Sequence, residues 1–298
     1  MTFNIMKKSL FLLLAMPLLL ASCAKNEALV GESVELSFTA ELPSQTRAAG
    51  DLVVNKVVCA TFENDVEIPA LRKVIDIVDG QPIVYSPRLI KGKSYRVAFW
   101  AMKDGAYNVI DLKAVTVGDD FNGDPAVYEC FTNSTGEFVV SGSLNVPVTL
   151  TRPLAKISFG ISADEKTAVE ALGYTLSKMS VEVPAVASYD ALAQTAGSLS
   201  SKTMTLPVDG GTLTAGGSSY YALASYLVFT DGSNVDPKYS IYGQKGSAAE
   251  SLVYEYTLNN VPTAVNHNTN IVGALMTGSV NCAVSMDAAY ASSHNTNL

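Results

Sequence analysis

Between Ser33 and Leu42 apolar and polar residues alternate without a break. Val34, Leu36, Phe38, Ala40 and Leu42 fall on one side, and Ser33, Glu35, Ser37, Thr39 and Glu41 on the other. A period of two cannot place one apolar face on a helix, but it matches a β-strand with one face buried. The same period recurs over residues 52–62, 95–102, 138–148, 174–183, 220–229 and 253–258. Turn-forming clusters stand between these runs, among them Lys103-Asp104-Gly105, Asn122-Gly123-Asp124, Asp209-Gly210-Gly211 and Asp231-Gly232-Ser233, whose residues tolerate positive φ. The pattern predicts a mainly β chain of two tandem antiparallel β-sandwich domains. One short helix is expected: Ser162-Ala163-Asp164-Glu165 has capping-box spacing, residues 167–172 continue it, and Gly173 offers the stop. The boundary between the sandwiches is expected at Thr151-Arg152-Pro153, giving units 48–152 and 153–298.

The N-terminal segment sets the expected compartment. Lys7 and Lys8 precede an apolar run over residues 10–20 that is short for a bilayer span, so residues 1–22 read as a signal peptide. Leu20-Ala21-Ser22-Cys23 resembles a lipobox, which makes Cys23 the expected lipidation site and first residue of the mature chain. Beyond it remain 18 Lys and Arg (20 minus Lys7 and Lys8) against 28 Asp and Glu, a formal charge of −10 that disfavours nucleic acid as a partner. Cys59, Cys130 and Cys282 are odd in number, so they cannot all be paired. Cys59 and Cys282 sit in strand-like runs where a thiol packs as a small hydrophobe, and a Cys59–Cys130 disulfide stays open.

Residues 43–50, Pro-Ser-Gln-Thr-Arg-Ala-Ala-Gly, form the kind of small, polar, proline-marked loop that a protease can thread. Arg47 is the only basic residue between Lys25 and Lys56. At the other end Val280, Cys282, Val284 and Met286 alternate with Asn281, Ala283, Ser285 and Asp287, a second strand with one apolar face. Cleavage between Arg47 and Ala48 would release residues 23–47 with the first strand and open an apolar groove. The C-terminal strand of another copy has the pattern to fill that groove by β-augmentation, and a head-to-tail contact of this kind propagates as a fibre. On pattern alone, two edge strands of a monomer with a solvated Arg47 explain the same residues.

Four stretches carry a family resemblance: Ser37-Phe38-Thr39-Ala40-Glu41 with Gln45-Thr46-Arg47-Ala48; Leu150-Thr151-Arg152-Pro153-Leu154-Ala155-Lys156-Ile157; Ala222-Leu223-Ala224-Ser225-Tyr226-Leu227; and Asn260-Val261-Pro262 with Asn268-Thr269-Asn270-Ile271-Val272-Gly273. In order and spacing the chain resembles the fimbrillins, subunits of type V pili. The resemblance implies transthyretin-like sandwiches, export to the cell surface as an outer-membrane lipoprotein, cleavage after Arg47 by an Arg-specific protease, and polymerisation with copies of itself or related subunits by strand exchange. Having both a cleavage loop and a strand-like C-terminus, the chain reads first as a stalk subunit, with anchor or tip subunit and monomeric surface lipoprotein as alternatives.

Enzymatic chemistry finds little purchase. His267 and His294 stand in Asn- and Ser-rich surroundings, and no phosphate loop, nucleophile elbow or metal-ligand spacing occurs. Asp120-Phe121-Asn122-Gly123-Asp124 lacks the distal glutamate of a helical calcium loop and reads as a turn, and Trp100, within Val97-Ala98-Phe99-Trp100-Ala101, reads as core. The expectation is a non-catalytic protein without metal or cofactor.

Overall fold

A computed structural model describes residues 31–43, 53–79, 81–276 and 281–287. Residues 1–22, Cys23, Arg47, Ala48, Val280 and His294 lie outside the described residues. The fold is mainly β.

In the N-terminal part, strands Lys56–Glu63 and Ser94–Met102 lie side by side at the centre of one sheet. Lys73–Asp76, Val66–Glu67, Cys130–Ser134 and Phe138–Val139 complete it. Its two central strands are apolar on both faces, and the alternation is a division between two cores. Val57, Cys59, Tyr95, Val97, Phe99 and Ala101 face one core, while Val58, Ala60, Phe62, Ala98, Trp100 and Met102 face another. Burial on both faces explains why Val57-Val58-Cys59-Ala60 reads as an unbroken apolar run. Trp100 is fully buried, as its neighbours predict.

A second, smaller sheet covers the first core. Its order is Asn145–Thr149, Ser37–Glu41, Ile83–Tyr85, extended by Ser33–Glu35 against Arg88–Ile90. The alternating run over 138–148 is therefore not one strand. Ser141-Gly142-Ser143 interrupts it, Phe138–Val139 pairing with Ser94–Tyr95 in one sheet and Asn145–Thr149 joining the other.

The C-terminal part packs Thr212–Ala215, Ser218–Phe229, Leu154–Ile161, Asn268–Ala274 and Asn281–Asp287, in that order, against Ser200–Pro207, Tyr174–Val186, Lys238–Lys245 and Ser251–Thr257. Ile157, Phe159, Met179, Val181, Tyr226, Tyr239 and Ile241 fill the space between. Among the described residues the sheets are antiparallel apart from two pairings: Asn145–Thr149 runs parallel to Ser37–Glu41, and Leu154–Ile161 parallel to Asn268–Ala274. Pairings that join distant segments leave no mark in the local sequence.

The expected helix is present as Ala163–Ala171, with the Ser162 hydroxyl accepting from the Glu165 N–H at 3.2 Å and Gly173 at φ +85° beyond its end. A single helical turn, Pro125–Tyr128, stands in addition, started by the Asp124 carboxylate accepting from the Ala126 N–H at 2.9 Å. Gly123 enters that turn at φ +70°, where a Cβ would lie 2.7 Å from the Leu227 carbonyl, so only glycine lets the loop rest on the Ser218–Phe229 strand.

At the expected boundary Thr151 is exposed, whereas Arg152 and Pro153 are buried. The Arg152 Nε donates to Glu129 at 2.7 Å, its guanidinium lies 4.8 Å from the centre of the Phe131 ring, and both charged side chains are buried. The core that begins at Val58 and Trp100 continues without interruption to Leu154, Tyr189 and Phe229.

Candidate functional site

The leading strand, Ser37–Glu41, occupies a groove between two neighbours. On one side its partners are Phe38↔Tyr85, Thr39↔Val84 and Ala40↔Ile83, antiparallel; on the other, Phe38↔Val146 and Ala40↔Val148, parallel. Main-chain hydrogen bonds extend the ladder at both ends. The Leu36 N–H donates to Pro87 at 3.1 Å, Ser37 N–H to Leu144 at 2.9 Å, Lys91 N–H to Glu32 at 2.8 Å and Leu150 N–H to Glu41 at 2.9 Å. Both edges of the strand are thus satisfied.

The apolar row points into the core. Leu36, Phe38, Ala40 and Leu42 keep 1, 0, 2 and 6% of their surface exposed, and Val34 is half-buried. Phe38 is the keystone, with ring centres of Tyr85, Phe99 and Phe138 at 6.1, 6.2 and 5.9 Å. Tyr85 is held in turn by its hydroxyl, which lies 2.7 Å from the Thr61 hydroxyl and donates to the Leu71 carbonyl at 2.7 Å. Burial of large apolar side chains contributes roughly 1.5–3 kcal/mol each as an upper bound, so Leu36, Phe38 and Leu42 dominate the strand's retention. The groove is deep and apolar, and a segment of the chain fills it.

The trailing strand, Asn281–Asp287, carries the same alternation in a different setting. Among the described residues it pairs with Asn268–Ala274 alone and forms the rim of its sheet. Cys282 packs against the core, but Val284 and Met286 are 40% and 43% exposed. One polar bond fastens its end: the buried Asn270 amide donates to Asp287 at 2.8 Å, the last link of a chain through Asn268 and Ser158. The stem before it is held firmly, since Glu165 accepts from the Leu275 and Met276 N–H groups at 2.7 and 2.6 Å. Sequence reasoning placed Glu165 in a capping box; its carboxylate serves this distant backbone instead.

All three cysteines of the body are free. Cys59 and Cys130 lie in different cores, and burial pushes the Cys59 thiol up to about 12 and raises Cys130 and Cys282 as well, which keeps them in the unreactive thiol form. Burial lowers the Lys156 amine to about 8, opposed by the nearby Glu129 carboxylate. A depression of about 530 Å³ beside Asn64, Asp65, Arg96 and Glu137 is lined by no His or Cys. His267 is spent on the Val265 carbonyl at 2.8 Å. Among the described residues no three His, Cys, Asp or Glu side chains converge to hold a metal ion.

Fold and groove together define a mainly β protein whose N-terminal sandwich is completed by a strand from the start of the chain. The chain belongs to the family described as a family of unknown function (DUF6562), matched over residues 26–298. No curated protein matches the sequence. Among solved structures it is similar to one described, provisionally, as polysaccharide binding proteins (DUF1812) from Bacteroides thetaiotaomicron, at 10% identity and TM-score 0.50, covering 85% of this chain and 97% of that one. That likeness shows a shared fold. It is also similar to the fimbrial anchor protein Mfa2 from Porphyromonas gingivalis, at 11% identity and TM-score 0.45 over 85% and 97% of the two chains. A fimbrial assembly protein from Parabacteroides distasonis follows at 15% identity and TM-score 0.46 over 87% and 99%.

Proposed function

We propose that the protein is a non-catalytic structural subunit, of the stalk type, of an adhesive surface fibre of type V. It is exported as a lipoprotein acylated at Cys23, held at the outer membrane until an Arg-specific protease cuts between Arg47 and Ala48, and polymerised when a strand of another copy takes the place of the released leading strand. One observation carries the reading: the strand immediately before the Arg47 loop is inserted between two neighbours with its apolar row buried, so its departure leaves an open groove rather than a trimmed edge. The groove demands an extended segment with alternating apolar residues, which the trailing strand supplies. Fimbrial anchor and assembly proteins, as the two neighbours above are described, belong to the same class of object.

The test is limited trypsin treatment of the mature protein, followed by intact mass and denaturing electrophoresis, with Arg47→Ala alongside. Loss of residues through Arg47 with a ladder of multimers, both abolished in Arg47→Ala, is the expected result. Clean cleavage of a protein that stays monomeric overturns polymerisation and leaves a monomeric surface lipoprotein.

A further inference from the structure

The leading and trailing rows differ in the order of their side-chain sizes, and that order selects one alignment. Along the groove the leading strand presents Val34, Leu36, Phe38, Ala40, Leu42: large residues on both sides of a single small one. Ala40 is 2% exposed and set between Ile83 and Val148, which are themselves core residues, so a long side chain there would have to enter close-packed core. Near the C-terminus the alternating apolar residues continue past the trailing strand as Cys282, Val284, Met286, Ala288, Tyr290. They too have one alanine in fourth place.

Resting on the strand-exchange reading above, we infer that the donor is residues 282–290 of a second copy, aligned so that Met286 takes the pocket of Phe38 and Ala288 the place of Ala40. A slip of one residue turns the polar row inward. A slip of two in one direction puts Met286 at the Ala40 position, and in the other Tyr290, each forcing a long side chain into close-packed core. In the chosen alignment Cys282 replaces Val34, Val284 replaces Leu36 and Tyr290 replaces Leu42, while Ala283, Ser285 and Asp287 lie on the outer face over Glu35, Ser37 and Thr39. Methionine is unbranched and fits a pocket lined by Tyr85, Phe99 and Phe138 that was shaped for a ring. The donor must leave its own sheet first, and the half-exposed Val284 and Met286 hold it there weakly.

The alignment is read by disulfide trapping in trypsin-activated full-length mature protein. Position 35 is opposite Arg88 and position 37 opposite Asn145 in the ladder. Ala283→Cys therefore meets Arg88→Cys in the proposed alignment, and Asn145→Cys if the donor is shifted by two so that Met286 falls at Ala40. All three sites are exposed, so the substitutions leave the cores intact, and each single variant controls for the native Cys282. Multimer bands on non-reducing gels that collapse with reductant, found for Arg88→Cys/Ala283→Cys and not for Asn145→Cys/Ala283→Cys, are expected. Loss of the wild-type ladder in Ala288→Leu is expected as well. Cross-linking in the Asn145 pair instead overturns the alignment while strand exchange stands. A wild-type protein that is cleaved and never multimerises overturns the exchange reading and the alignment with it.

Discussion

The leading and trailing strands have nearly the same alternating pattern and opposite circumstances. Ser37–Glu41 has a neighbour on each side and its apolar row is almost fully covered; Asn281–Asp287 has one neighbour, and two of its three described apolar residues are 40–43% exposed. Period two announces a strand with an apolar face, but whether anything covers that face depends on segments far away in the chain. The leading strand is covered because Lys56–Glu63 and Ser94–Met102 present Val57, Cys59, Val97 and Phe99 beneath it. The trailing strand lies at the rim of its own sheet, beside Asn268–Ala274.

Four substitutions break or sharpen this contrast. Phe38→Ala in the uncleaved protein is expected to cost about 3–5 kcal/mol, the range for emptying an aromatic site in a core, measured as a fall in the urea midpoint. A small cost there would mean the groove is not closed by its strand. Glu165→Ala removes the acceptor of two buried N–H groups and is expected to cost roughly 1–3 kcal/mol by the same denaturation, with Glu165→Gln milder. Equal losses for alanine and glutamine would show that the stem of the trailing strand does not depend on that acceptor. Asp287→Ala should cost only about 0.5–1.5 kcal/mol and speed amide hydrogen exchange in residues 282–286, leaving residues 37–41 unchanged. Val284→Thr should shift stability by no more than about 0.5 kcal/mol, as befits a half-exposed rim residue, and a larger loss would place the trailing strand on a par with the leading one.

Much of the fold was legible because its signals are local. The alternation over 33–42 names the buried row residue by residue, Ser162 and Gly173 bracket the helix, and Val97–Ala101 reads as buried strand. Local signals also explain the oversights. Asp124-Pro125 has the N-cap and first-turn proline of a helix start, but the helix lasts only one turn, too short for periodicity to register. The run over 138–148 keeps its alternation while changing sheets, since a period says nothing about which partner a strand meets. In the groove, the row of residues was readable and its walls were not: Ile83–Tyr85 and Asn145–Thr149 are short segments whose role comes from their register against Ser37–Glu41. Arg152 and Glu129 were similarly out of reach, because a buried ion pair between residues in different strands and turns has no spacing rule.

The parallel pairing of Ser37–Glu41 with Asn145–Thr149 also governs the order of folding. Thr39 and Asn145, whose side chains bond at 3.3 Å, are 106 positions apart, so the leading strand cannot be clasped on both sides until the chain as far as Thr149 is available. Closing so long a loop is slow, and contacts of this span form late. A chain made from its N-terminus therefore carries a leading strand that lacks its second partner until about half of its residues are in place, so the groove's second wall and the strand that fills it come together in one late step.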